Sequence, residues 1–161
     1  PSVVDALSIP VIAGGGICDS RSYLAARALG AQGVVMGTRF IATKECPIHE
    51  NFKRYFVECD ERSTALVQRS IKNASRDIKN ATIRELLALE ASSDHPLTLE
   101  EILPFTNGKR QKAAYESGDT DDGAIPAGEC IGRIKSILTV QEVVDEIING
   151  TEALLKKLAF G

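Results

Sequence analysis

Two short apolar runs that each end in glycine are the residues of this sequence best suited to chemistry. The first covers residues 9–12 and ends in Ala13-Gly14-Gly15-Gly16, and the second covers residues 33–36 and ends in Gly37-Thr38. Glycine lets backbone N–H groups approach phosphate oxygens without a Cβ in the way, and a following helix N-terminus adds a favourable partial charge. We therefore predict a phosphate-binding corner that contains Gly14, Gly15, Gly16, Met36, Gly37 and Thr38.

The elements that must position this corner have the order βαβα over residues 1–60. Each apolar run is typical of a buried parallel strand, and Asp19 or Ser20 can cap the helix between them, which ends at Gly30. Ligands gather at the carboxyl ends of parallel strands, and in a (β/α)₈ barrel the last two such loops frequently bind phosphate. The alternative is that the glycines only make tight strand-to-helix turns.

The rest of the chain is predicted from its periodicity and its turn residues. We expect a helix at residues 48–59 that buries Phe52, Tyr55 and Phe56. Residues 61–103 are expected to be mostly helical, and residues 104–127 to be a loop or linker because of their Pro, Gly and Asp content. Two Thr-x-x-Glu sequences, which begin at Thr82 and Thr98, match the capping box. The sequence from Thr139 to Glu142 opens a final helix that Gly150 could break.

Composition excludes several classes of function. The chain of 161 residues is 43% hydrophobic and 25% charged, as expected for a globular domain, and its net charge of −3 provides no basic surface for nucleic acid or an anionic membrane. No apolar run is long enough to span a membrane. The four cysteines lack metal-ligand spacing, which favours reduced thiols in a cytoplasmic protein.

The titratable side chains do not form a recognisable catalytic or metal motif. His49 and His95 have no serine or cysteine partner motif, so we predict a structural or surface role for His49 and a loop position for His95. Cys18 follows the first glycine turn and is expected to be a small buried side chain. The acidic run at residues 119–122 lacks the ligand spacing of a calcium loop, and we predict no metal site.

A family resemblance appears in the residues around the two glycine turns. Pro10-Val-Ile-Ala-Gly-Gly-Gly-Ile17 and Gly33-Val-Val-Met-Gly-Thr-Arg-Phe40, followed by Ala42-Thr-Lys-Glu45, closely resemble the nitronate monooxygenase (2-nitropropane dioxygenase) family, which includes FMN-dependent enoyl-acyl-carrier-protein reductases. Residues 69–73 and 76–80 resemble its helical segment, and Gly128 and the terminal helix resemble its closing section. The resemblance covers nearly the whole chain but only the second half of a typical member.

The resemblance implies the C-terminal part of a (β/α)₈ TIM barrel in the α/β class, with an appended helical segment. It implies non-covalent FMN with its phosphate at Gly15, Gly16, Gly37 and Thr38, and oxidation of nitronates with molecular oxygen. The alternative in the same family is an NAD(P)H-dependent enoyl thioester reductase. In either case the flavin supplies the redox chemistry. A related alternative is the inosine-monophosphate dehydrogenase group, although its catalytic cysteine loop is not visible here.

Two departures from the family pattern bear on this expectation. The family's catalytic histidine lies in a segment upstream of this sequence, so no catalytic residue is assigned. The closing section has Gly128-Glu129 where the family has Gly-Gln, which would add a negative charge near an anionic cofactor. A non-catalytic phosphate-binding fragment is therefore a further alternative.

We expect three segments along the chain. Residues 1–60 form the last βα units with the phosphate corner, residues 61–125 a helical segment with an acidic loop, and residues 126–161 the closing segment with the C-terminal helix. Because half a barrel leaves strand edges unpaired, we expect a homodimer or a requirement for the missing N-terminal half.

Overall fold

A parallel βαβ unit opens the fold. The computed structural model describes residues 1–159, in which helix α1 (Ser2–Ala6) precedes strand β1 (Ile12–Gly14), helix α2 (Ser20–Ala28) and strand β2 (Gly33–Val35). The two strands pair in parallel, with Ile12 opposite Gly33 and Gly14 opposite Val35. The predicted strands and the helix between them are therefore confirmed. Gly30 follows that helix with φ +98°, a conformation that glycine adopts without strain.

Two helices follow β2 and place aromatic side chains in the core. Helix α3 (Thr38–Ile41) is a single turn, and helix α4 (Glu50–Glu58) lies within the predicted range 48–59. Phe52 and Phe56 are completely buried, whereas Tyr55 is half-buried at the edge of the same cluster. The face of α4 predicted from its aromatic spacing is the face that packs.

The expectation of mostly helical structure over residues 61–103 is wrong for residues 61–80. Strands β3 (Thr64–Val67) and β4 (Ser75–Ile78) form an antiparallel pair, with Thr64 opposite Ile78. The pair buries Val67 and Ile78 completely. Strand formation depends on pairing with a neighbour and on burial of one face, so local composition predicts it poorly.

The expectation of a loop over residues 104–127 is also wrong in its first half. Helix α5 (Ala81–Ser92) is followed by α6 (Leu99–Thr106), which contains Pro104, and by α7 (Gly108–Ser117). Asn107 ends α6 and caps α7, because its side chain accepts a hydrogen bond from the Arg110 N–H at 2.9 Å. The Asn107-Gly108 pair therefore begins a helix instead of making a turn.

The capping predictions have mixed outcomes. Thr98 and Glu101 form the predicted reciprocal capping box of α6, and the N–H of Thr139 donates to the Glu142 carboxylate at 2.6 Å while the Glu142 N–H donates back to the Thr139 hydroxyl. The Thr82 prediction is wrong, because Asn80 caps α5 and accepts from the Ile83 N–H at 3.0 Å.

The closing segment consists of a 3₁₀ helix (Glu129–Arg133) and the long helix α8 (Val140–Ala159). The suggested break at Gly150 is absent, and α8 is continuous through that residue. A Cβ on Gly150 would lie 2.7 Å from the Ser20 hydroxyl oxygen, so this glycine permits close packing of α8 on α2. Residues 160 and 161 of the predicted closing segment lie outside the described part of the chain.

The largest buried cluster draws residues from all three predicted segments. It includes Cys18, Phe52, Ile78, Ile125 and Cys130. In contrast, the β1–β2 pair exposes apolar side chains, since Ile12 and Val35 are 55% and 62% accessible to solvent. Across residues 1–159, no helix combines the length and apolar character needed to cross a membrane.

Candidate phosphate-binding site

The two glycine turns leave the same edge of the β1–β2 pair. Because the strands are parallel and Gly14 lies opposite Val35, residues 15–16 and residues 36–38 both follow the carboxyl end of a strand at this edge. Gly15 and Gly16 have φ of +92° and +73°, which disfavours any other residue type. A Cβ placed on Gly15, Gly16 or Gly37 would have no atom within 4 Å. These turns therefore border open space.

The backbone donors of these turns have no partner within the described chain. Among the hydrogen bonds of residues 1–159, none uses the N–H of Gly15, Gly16, Gly37 or Thr38 as its donor. Exposed N–H groups at the carboxyl ends of two adjacent parallel strands suit a phosphate, which offers several acceptor oxygens. The residues present therefore fit the phosphate end of a nucleotide-type cofactor.

Gly14 and Met36 differ from the other predicted contacts. Gly14 is the last residue of β1, and its Cβ position is in ordinary contact with Val35 at 3.8 Å. The Met36 side chain packs against the small cluster of Ile17, Ala26 and Ala31. Met36 can therefore contribute its backbone to the corner while its side chain supports the turn from behind.

The helix N-termini contribute less than the sequence suggested. At the start of α2 the Asp19 carboxylate accepts a 2.8 Å hydrogen bond from the Ser22 N–H and so occupies the position that an external anion would take. Helix α3 has only four residues, too few for a substantial macrodipole. The prediction that a helix N-terminus contributes to phosphate binding is therefore wrong for α2, and the contribution of α3 is small. The main donors are the N–H groups of the two turns.

Thr38 connects the corner to the closing segment. Its hydroxyl oxygen accepts a 3.0 Å hydrogen bond from the Gly128 N–H, and the same hydroxyl lies beside the Cys130 thiol. The family resemblance implies that the Gly128-Glu129 segment lies near the cofactor, but no pattern in the sequence indicates the hydrogen bond between Gly128 and Thr38 or the position of Cys130.

The unusual Glu129 carboxylate is paired with a cation. Its Oε1 lies 3.0 Å from Nη2 of Arg76, which projects from strand β4, and 64% of the Glu129 side chain is exposed. A paired carboxylate adds little net charge to its surroundings. The expected repulsion between Glu129 and an anionic cofactor is therefore reduced by Arg76, which was predicted from the sequence to lie in a helical segment.

Cys18 and Cys130 lie side by side beneath the corner. The Cys18 thiol donates to the Cys130 carbonyl oxygen at 3.7 Å, and both side chains are buried, which confirms the expectation for Cys18. The neighbouring Cys18 side chain lowers the pKa of Cys130 to about 7 even though burial opposes this. The interaction with Cys130 and burial raise the pKa of Cys18.

The nearby basic residues have structural partners. Arg39 is 4% exposed, and its Nη1 donates to the carbonyl oxygens of Ala42 and Ser136, both at 3.3 Å. Lys44 is exposed and pairs with Glu142 at 3.5 Å. Arg133 Nε donates to the Asp19 carboxylate at 2.7 Å and joins the 3₁₀ helix to the start of α2. Arg39 therefore stabilises the fold around α3.

Both histidines have the roles predicted for them. His49 caps α4, where its Nδ1 accepts from the Asn51 N–H at 3.2 Å. His95 lies in an exposed loop between Asp94 and Glu101. Asp121 and Asp122 of the acidic run contact Thr82 and Arg110. Within residues 1–159, no group of three or more His, Cys, Asp or Glu is placed to hold a metal ion.

Comparisons with known proteins match this arrangement over nearly the whole chain. The model of the family described as "Nitronate monooxygenase" matches residues 1–150. A Staphylococcus aureus protein named "Probable nitronate monooxygenase" is 32% identical over 97% of this chain and 42% of its own length. A Rhodococcus jostii relative, named a 5-hydroxy-7a-methyl-1-oxo-octahydro-1H-indene-4-carboxyl-CoA dehydrogenase, is 28% identical over 92% of this chain and 51% of its own length.

A solved structure supports the same assignment. FabK from Thermotoga maritima superposes with a TM-score of 0.86 at 31% identity, over 98% of this chain and 49% of that chain. The chain thus spans about half the length of the relatives it matches, and its fold is part of a (β/α)₈ barrel with attached helices and a hairpin. On these grounds, the chain belongs to the nitronate monooxygenase family.

Proposed function

We propose that this chain supplies the phosphate end of an FMN site in an oxidoreductase. The observation that carries the proposal is a set of four backbone N–H groups at one edge of the β1–β2 pair that have no acceptor among residues 1–159. They belong to Gly15, Gly16, Gly37 and Thr38. These groups are available to phosphate oxygens because no acceptor among residues 1–159 occupies them. The Thr38 hydroxyl can add a further donor, because its bond with Gly128 uses only an oxygen lone pair.

The remaining residues of the corner hold its geometry. Met36 and Ile17 pack behind the turns, and the Thr38–Gly128 hydrogen bond fixes the closing segment against them. Arg76 compensates Glu129, so the closing segment presents little net negative charge to a phosphate. The flavin itself supplies the redox chemistry when it is bound, and the chain orients it through its phosphate.

The proposed reaction is the oxidation of nitronates with molecular oxygen. Its support is the family match over residues 1–150 and the 32% identity to a relative named for this reaction. We propose no catalytic residue for nitronate oxidation within this chain. Residues that contact the flavin ring and the substrate are therefore proposed to come from the rest of the barrel.

A thioester substrate is the second candidate. The Rhodococcus relative, 28% identical to this chain, is by name a dehydrogenase of a carboxyl-CoA compound. An enoyl thioester reductase that uses NAD(P)H would also act on a thioester. Rapid reduction of the flavin by NADH would favour this candidate, whereas reduction by a nitronate would favour the first.

The exposed face of the β1–β2 pair suits association with further barrel strands or with a second copy. Ile12 and Val35 are exposed on this pair, although parallel strands in such folds are normally covered. Coverage by the rest of a barrel would bury both side chains. The FMN test is therefore made on the chain alone and on the longest polypeptide that its gene encodes.

An FMN titration followed by absorbance and flavin fluorescence tests the proposal. Binding should perturb the flavin spectrum, and Gly37→Val should weaken it at least tenfold, because the added side chain enters the open space above the N–H groups. Gly37 has φ −101°, so valine fits its backbone and the variant should fold. Gly108→Val, also in open space but at the start of α7, is the matched control. If the longest polypeptide ignores FMN, the proposal fails.

A further inference from the structure

A cavity of about 330 Å³ lies between the start of α2, the single turn of α3, the closing segment and α8. Its volume is within the range of small-molecule sites, roughly 300–1,000 Å³. None of the four residues whose N–H groups form the proposed phosphate corner lines it. The cavity therefore lies outside the turns that are proposed to bind the FMN phosphate.

Arg39 places an uncompensated positive charge in the wall of this cavity. The residue is 4% exposed, and within residues 1–159 it forms no salt bridge. Its protein hydrogen bonds all come from Nη1, which donates to the carbonyl oxygens of Ala42 and Ser136. Burial of a charge is costly unless an opposite charge and hydrogen bonds compensate it. The Arg39 guanidinium therefore lacks a counter-ion within the described chain.

The free edge of the Arg39 guanidinium faces the cavity. Neither Nε nor Nη2 donates to an acceptor within residues 1–159. In the same range, the Ser70 hydroxyl is the one fully enclosed side-chain polar atom without a partner, so Nε and Nη2 both retain access to solvent. Because Arg39 is otherwise buried and lines the cavity, this access is through the cavity. The Nε–H and Nη2–H groups point in parallel and match the two oxygens of a carboxylate.

The other lining residues favour a monoanion with an apolar part. Asp19 accepts a 2.7 Å hydrogen bond from Nε of Arg133, and Lys135 and Glu146 also line the cavity. Together with Arg39 these side chains leave one excess positive charge. Three aliphatic residues form another part of the wall, namely Ile134, Val143 and Ile147. A single negative charge with a hydrocarbon tail therefore suits the cavity better than the dianion of a phosphate ester.

We propose that this cavity is a binding site for a small aliphatic monocarboxylate. The carboxylate accepts hydrogen bonds from Nε and Nη2 of Arg39, and the hydrocarbon tail packs against the aliphatic wall. The bound anion supplies the counter-ion that the buried guanidinium lacks. Because the lining residues are distinct from the phosphate corner, the carboxylate and the flavin bind at the same time.

Calorimetric titration with hexanoate tests this site on the longest polypeptide that the gene encodes. We expect hexanoate to bind at least about fivefold more tightly than acetate, because the aliphatic wall takes its methylene groups out of water. Hexanamide has a similar shape but no charge, and it should not bind measurably. Inorganic phosphate should not displace hexanoate. Equal binding of hexanamide, or displacement of hexanoate by phosphate at equal concentration, would overturn the proposal.

Saturation with FMN distinguishes this site from the proposed function. The affinity for hexanoate should change by less than about twofold when FMN is added, since the two sites share no residue. Loss of hexanoate binding in the presence of FMN would place the cavity within the flavin site and overturn the inference. A protein that binds hexanoate but ignores FMN would refute the proposed function alone.

Arg39→Lys tests the residue that binds the carboxylate. Lysine keeps the charge but loses the planar edge with two parallel donors, so hexanoate should bind at least about tenfold more weakly. Arg27→Lys, at an exposed position of α2, is the matched control and should bind hexanoate like the unmodified protein. Unchanged hexanoate affinity in a folded Arg39→Lys variant would overturn the proposal.

Glu146→Gln provides a test that does not alter a buried side chain. Glu146 is exposed and lines the cavity, and removal of its charge should tighten hexanoate binding about two- to threefold. Glu152→Gln removes a charge from an exposed position of the same helix that does not line the cavity, and it should leave the affinity unchanged. Equal affinities of the two glutamine variants would contradict the position assigned to the carboxylate.

Discussion

The hydroxyl oxygen of Thr38 accepts a 3.0 Å hydrogen bond from the backbone N–H of Gly128, a residue 90 positions further along the chain. This contact joins the second glycine turn to the closing segment. Since the same residue carries an unpaired N–H at the proposed phosphate corner, Thr38 links the integrity of the fold to the binding of a ligand.

Thr38→Val should weaken FMN binding and slightly destabilise the protein. Loss of one hydrogen bond to a charged phosphate corresponds to about 1.5–3 kcal/mol, or roughly ten- to a hundredfold in affinity. Thr38→Ser retains the hydroxyl and should bind within about threefold of the unmodified protein by the same reasoning. Fluorescence titration measures both variants, and equal affinities for valine and serine would show that the hydroxyl is not a ligand.

Glu129→Gln should increase FMN affinity modestly, by about two- to fivefold, because an exposed ion pair is worth at most ~1 kcal/mol and its loss leaves Arg76 uncompensated. Arg76→Gln should lower affinity by a similar factor, and the double variant should resemble the unmodified protein. Titrations at low and high salt check this prediction, since the differences should fade as salt screens the charges. Persistence of the differences in high salt would contradict an electrostatic origin.

Asn80→Ala should be strongly destabilising. The Asn80 side chain is fully buried, donates to the carbonyl oxygens of Thr120 and Gly123, and caps α5 through the Ile83 N–H. Loss of the cap and of these two hydrogen bonds, of which the one to Gly123 is buried, should lower the free energy of unfolding by about 3 kcal/mol or more. Urea denaturation measures the change. Asn107→Ala, which removes the partly buried cap of α7, should cost only about 1 kcal/mol.

Gly132→Ala should destabilise the protein through a backbone clash. An added Cβ would lie 2.5 Å from the Glu61 backbone nitrogen and 2.9 Å from the Asp60 carbonyl carbon, and neither atom can move without shifting the chain. We expect a loss of about 2–3 kcal/mol. Gly108→Ala, at an open helical position, should instead be neutral or stabilising by up to ~1 kcal/mol. Thermal melting of both variants provides the comparison, and equal melting temperatures would contradict it.

Asp19→Asn should reduce the loss of folding stability that occurs as the pH falls into the acidic range. Burial opposes ionisation of Asp19, but hydrogen bonds from Ser22 and Arg133 outweigh it and lower the pKa of this carboxyl group below its ordinary value of 3.8. A lowered folded-state pKa contributes stability above the unfolded-state pKa, and this contribution is lost as the pH falls through the folded-state value. Urea midpoints measured from neutral pH to below pH 3.8 should therefore fall less in Asp19→Asn than in Asp5→Asn, which alters an exposed carboxylate.

Local signals in the sequence determined the βαβ unit and its glycine turns. Glycine at positive φ, an Asp19 cap and an apolar run before each turn act over a few residues, so Gly15 and Gly16 were assigned to a tight turn without knowledge of the fold. The aromatic face of α4 was predicted for the same reason, because helical periodicity is visible in a single segment.

Only the tertiary structure decided which distant residues complete the site. The β3–β4 pair depends on cross-strand pairing and burial of Val67 and Ile78, and it places Arg76 beside Glu129. The contacts of Thr38 with Gly128 and of Cys18 with Cys130 join segments 90 and 112 residues apart. Their energies arise from packing between segments, and no local pattern encodes such pairings. The sequence therefore determined the glycine turns, and the fold determined what surrounds them.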